Sequence, residues 1–152
     1  MVGSHRWFLT VKALAAVLLV LLFVQYLLGL WTNLYAPSMF TSNSSSPALD
    51  WHYNVGFILF FTSILLVILT AFTREIRLIA PAVFLLIAVL VAGLAGGAFV
   101  GSSPNNPLDS LLMAVMFLVA FAAALRIGFY NRSRTTIIPL PPATASPPAS
   151  SS

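Results

Sequence analysis

Cysteine is absent from this 152-residue chain, and with it go disulfides, thiolate metal centres and cysteine nucleophiles. Charge is almost as scarce. Charged residues make up 7% of the sequence and hydrophobic ones 60%, against roughly 25% charged in a soluble domain. So little charge cannot clothe a water-facing surface, so the solvent is expected to be lipid. There are only three acidic residues and two histidines. No H-E-x-x-H segment, serine–histidine pair on facing helices or acidic general base is found, which leaves membrane proteolysis unsupported. No Asp, Glu or Lys falls deep in an apolar stretch, whereas proton and ion pathways need such groups at mid-membrane. The net charge of +4 does not point to nucleic acid, because the placement of the basic residues has a better explanation.

What the sequence has in abundance is long apolar runs. Four are of the length that crosses a hydrocarbon core, about 20 residues as a helix, near 11–31, 53–72, 78–100 and 108–130. Lipid offers no partner for an open backbone group, so each is expected to be helical. The breaks between them, "TNLYAPSMFTSNSSSPALD", "TREIR" and "GSSPNNP", are too short to fold alone. The expected fold is an all-α integral membrane four-helix bundle over 1–130, followed at 131–152 by a Pro- and Ser-rich tail that is expected to be flexible.

All seven basic residues fall on one side of that arrangement. Arg6 precedes the first run and Lys12 falls at its start, Arg74 and Arg77 separate the second from the third, and Arg126, Arg132 and Arg134 close the fourth. The two opposite loops carry no Lys or Arg, only Asp50 and Asp109. The positive-inside rule then predicts a multi-pass protein of the cell membrane with both termini cytoplasmic. The first run has about 18 apolar residues, against roughly 7–15 in a secretory signal, and no A-x-A site follows it, so it is expected to be retained. Asn43 opens an N-x-S triplet in the first outer loop, for which both a glycosylated and an unmodified state are compatible with the sequence.

The chain also reads as one helical hairpin used twice. "VQYLLGLW" aligns with "VAGLAGGAF" when Gly29 is set against Gly97, and the second and fourth runs are both entered through Leu-Asp, at 49–50 and 108–109. Such a repeat predicts a pseudo-twofold bundle. Small residues recur at helical spacing. Gly93, Gly97 and Gly101 form one row, Ala88, Ala92 and Gly96 a neighbouring one, and Ala120, Ala124 and Gly128 a third. In lipid such rows let backbones approach closely. They are expected to pack inside the bundle or to meet a second copy, a partner subunit or a flat cofactor.

Among the polar residues in the runs, Gln25 and His52 stand out. Gln25 is read as an interhelical hydrogen bonder or a ligand contact. His52 lies between Trp51 and Tyr53 at the mouth of the second run, where it is either a headgroup-level anchor or a haem ligand. One histidine cannot supply both axial positions, and His5 lies at the opposite end of the chain's first run. Met113, with Met116 as the other choice, opens the fourth run at nearly the depth of His52, and His/Met ligation is an established arrangement. Gly29 and Gly56 are expected to leave room for the macrocycle.

"QYLLGLWTN" closing one helix and "HYNVGF" opening the next resemble half of the heme A synthase family. The resemblance implies a four-helix bundle holding haem b, with Gln25, Gly29, His52 and Gly56 as the matching positions. Leu49 stands where the family's catalytic bundle has a glutamate, Tyr53 where an arginine follows the histidine, and Leu111, Leu112 and Met113 where a second histidine would be. The implied role is therefore haem holding or scaffolding rather than synthesis. Three functions are carried forward: a non-catalytic accessory or structural subunit of a larger membrane complex, a b-type haem protein for electron transfer or haem handling, and a small-molecule transporter.

Overall fold

The computed structural model describes residues 3–39, 47–102 and 107–130, with side chains at 6–32, 47–100 and 107–130. The loop holding Asn43, the tail at 131–152 with Arg132 and Arg134, and the surroundings of His5 and Gly101 lie outside these. Four helices follow one another: α1 (Gly3–Met39), α2 (Pro47–Thr73), α3 (Ile76–Ser102) and α4 (Pro107–Gly128). Each is long and apolar enough to cross a membrane, and the protein is an all-α, multi-pass membrane four-helix bundle. At 1.5 Å per residue α1 is about 55 Å long, well beyond a hydrocarbon core of about 30 Å. That excess explains why α1 outruns the apolar stretch near 11–31 at both ends: backbone hydrogen bonding continues into the headgroup region after the side chains cease to be apolar.

The chain runs up and down around a square. α1 packs on α2 and α4, and α3 packs on α2 and α4, while α1 and α3, like α2 and α4, stand on the diagonals. The register is fixed by ring contacts. Trp7 stacks on Phe72 at 5.6 Å and Phe8 meets Tyr130 edge-on at 6.0 Å at one end, while Tyr26 stacks on Phe117 at 5.2 Å in the other half. Arg6, Lys12, Arg74, Arg77 and Arg126 gather at the first end, and Asp50 and Asp109 begin α2 and α4 at the second.

Inside the square the buried positions step by three and four, as a helix stripe must. They are Val11, Ala15, Leu18 and Leu22 on α1, Val55, Leu59, Ser63, Leu66 and Thr70 on α2, and Leu78, Ala82, Leu85, Ala88 and Ala95 on α3. On α4 they are Ala120, Ala123, Ala124 and Ile127. Ser63 and Thr70 donate to carbonyls of their own helix, at Leu59 and Val67, so their burial needs no outside partner. The outer faces are just as apolar: Val20, Phe57, Phe61, Phe84, Leu94 and Leu118 are each more than 60% exposed. In water this surface would aggregate; in lipid it is the solvated face.

The small-residue rows divide in a way their spacing does not reveal. Ala88, Ala120 and Ala124 are buried in the core, and a Cβ built on Gly96 would lie 3.3 Å from the sulfur of Met113. Gly93 and Gly97, read in the sequence as packing inside the bundle or against a second copy, a partner or a cofactor, face outward, and a Cβ on either would meet nothing within 4 Å. The same holds for Gly128. At about 100° per residue, placing Ala88, Ala95 and Gly96 on the inner side turns Gly93 and Gly97 away from it.

Candidate polar site at the acidic end

In α1 Gln25 and Gly29 are one turn apart on one face, and in α2 His52 and Gly56 have the same spacing. Because the two helices run in opposite directions, each polar side chain meets the other helix's glycine. A Cβ on Gly29 would stand 3.3 Å from Cε1 of His52, and a Cβ on Gly56 would stand 3.4 Å from Nε2 of Gln25. Between these two seats, Nε2 of Gln25 lies 3.1 Å from Nε2 of His52. The structure thus joins four residues singled out in the sequence into one reciprocal lock between α1 and α2.

Hydrogen-bond chemistry constrains this lock. When the Gln25 amide donates, Nε2 of His52 accepts and its proton sits on Nδ1. When the amide is turned over, Nε2–H of His52 donates to the glutamine oxygen and Nδ1 is left as a bare acceptor. As placed, Oε1 of Gln25 and Nδ1 of His52 are buried without a hydrogen-bond partner among the described residues. One bond joins the two side chains, and each keeps one unspent polar atom.

Met113 does not join His52. It stands on the diagonal helix and rests on Gly96 of α3, its own hairpin partner. The two hairpins are therefore closed in parallel ways, by His52 over Gly29 and by Met113 over Gly96. Met116 is partly buried against the core. The room expected beside Gly29 and Gly56 is filled by the imidazole and the amide, and Nε2 of His52, one of its two ring nitrogens able to ligate iron, faces Gln25. Side chains so placed do not fit a haem between α1 and α2.

The reciprocal seating of Gln25 on Gly56 is the element that sequence reasoning missed. Its signal is the shared spacing of "QYLLG" and "HYNVG", two polar-x-x-x-Gly segments in antiparallel helices. No family model, curated protein or solved structure matches the chain.

Proposed function

We propose that the protein is a non-catalytic, accessory or structural subunit that docks a helix of another membrane chain through the outward face of α3. The observation behind this reading is the open surface at Gly93 and Gly97, where a neighbouring backbone has room to approach. Close helix contact of this kind, rather than apolar burial, is what joins helices in lipid. The polar pair supports the same reading, since Gln25 and His52 bond to each other in closing the first hairpin. Orientation belongs to the proposal too: the basic end faces the cytoplasm and the bilayer is the cell membrane.

The test uses the natural lack of cysteine. Leu94 lies between the two glycines and is 66% exposed, so Leu94→Cys places a single thiol on the face. Labelled with a thiol-reactive benzophenone and illuminated in native membranes, this variant is expected to give a cross-linked species, lost when Gly93 and Gly97 are both changed to leucine while the folded bundle persists. A band at twice the chain's mass identifies a second copy, and a different mass identifies another subunit. The absence of any cross-link, across thiols at Leu90 and Leu94, means that the face meets only lipid and overturns the reading.

The haem b reading is tested separately. Detergent-purified protein from haem-replete cells is expected to lack a Soret band. A band with a reduced α-peak that vanishes in His52→Ala would displace the accessory reading with a haem-handling one.

A further inference from the structure

At the basic end, Arg6, Arg74, Arg77 and Arg126 are all exposed and make no ion pair with a described residue, whereas Lys12 lies over the Phe8 ring at 5.1 Å. Two of these arginines flank one structural feature. Trp7 of α1 and Phe72 of α2 stack at 5.6 Å with their planes 29° apart, and they are 45% and 63% exposed. Arg6 adjoins the tryptophan in sequence, and Arg74 follows the phenylalanine by two. The edge between α1 and α2 therefore carries an aromatic platform of the kind found at headgroup depth, with Arg6 of α1 and Arg74 of the turn after α2 within two residues of it in sequence.

Arg74 adds an observation of its own. It has φ 57°, the left-handed conformation that glycine adopts freely and that strains a side-chain-bearing residue. It forms the turn between α2 and α3, its N–H donating to Ala71 O at 3.1 Å while Glu75 O accepts from Leu78 and Ile79. Glycine would serve that backbone better, so the local fold does not account for the arginine.

We propose that the α1/α2 edge at the basic end is a binding site for an anionic phospholipid, whose phosphate is held by Arg6 and Arg74 above the Trp7–Phe72 stack. Guanidinium groups match phosphate oxygens in a bidentate fork, and arginines beside a membrane surface each contribute roughly a fivefold gain in affinity for anionic lipid. The acyl chains of such a lipid would lie along the apolar outer faces of α1 and α2. The site does not depend on the docking face of α3.

Native mass spectrometry of the full chain, loaded with phosphatidylglycerol or phosphatidylcholine in neutral detergent, tests this. Retention of phosphatidylglycerol over phosphatidylcholine is expected, weakened about fivefold by Arg6→Ala and about fivefold by Arg74→Gly. Arg74→Gly is also expected to raise the thermal midpoint, so weaker lipid retention in that variant cannot come from poorer folding. Arg126→Ala, away from this edge, should leave retention within about twofold. Equal retention of both lipids, equal losses for all arginine variants, or displacement by soluble glycerol phosphate would each overturn the site: the first denies anion selectivity, the second makes the charge diffuse, and the third makes the ligand a free phosphate.

Discussion

Changing His52 alone to leucine is expected to destabilise the bundle by about 1–3 kcal/mol, the range for leaving a buried polar partner unpaired, and changing Gln25 alone to leucine should do the same. Changing both should return stability to near the parent value. The reason lies in the lock itself. The pair makes one hydrogen bond of 3.1 Å and leaves two buried polar atoms unspent, so its removal as a unit gives up one bond and relieves two unmet needs. A single replacement gives up the bond and strands the whole of the surviving group. Interhelical hydrogen bonds in membranes average about 0.6 kcal/mol and reach about 1.7, so the coupling in this cycle should fall near or above the upper figure. Reversible unfolding in mixed micelles, followed by tryptophan fluorescence, measures all four proteins on one scale. Strictly additive losses would mean that the two side chains do not share a bond, and the lock between α1 and α2 would have to be abandoned.

The fold was legible in the sequence because lipid imposes few choices. A long run of apolar residues with no charge at its middle is a helix there. The ends of the helices were less legible: α1 continues to Met39 because helix formation answers to backbone hydrogen bonding and not to hydropathy. The site was legible as a set of residues but not as an arrangement. Periodicity within "QYLLG" and "HYNVG" puts each polar group and its glycine on one face, yet it says nothing of the register between two helices, and that register decides which glycine receives which side chain. The small-residue rows show the same limit. Spacing establishes that Gly93 and Gly97 share a face of α3, but a helix that is apolar all round carries no sign of which face turns inward. The adjacent Gly96 alone touches a neighbour inside the bundle, through Met113.

These glycines should therefore respond very differently to the same change. Gly29→Leu is expected to be among the most damaging single substitutions in the acidic half of the protein. Its Cβ would already stand 3.3 Å from the His52 ring, and the ring is rigid and tied to Gln25, so three further carbons have nowhere to go without parting α1 from α2. Overpacking of this sort costs about 1–3 kcal/mol, and it also forfeits the lock. Gly97→Leu puts its side chain where nothing lies within 4 Å of the new Cβ. It should be neutral or should gain something approaching the 0.8–1.0 kcal/mol by which glycine lags other residues in a helix. Gly96→Ala falls between, because the group it meets at 3.3 Å is the sulfur of Met113, the end of a flexible thioether that can yield. The order of stability in mixed micelles should be Gly97→Leu at or above the parent, Gly96→Ala close to it, and Gly29→Leu well below. If Gly29→Leu proves as stable as Gly97→Leu, His52 is not seated on α1, and the hairpin is held by its aliphatic and aromatic contacts alone.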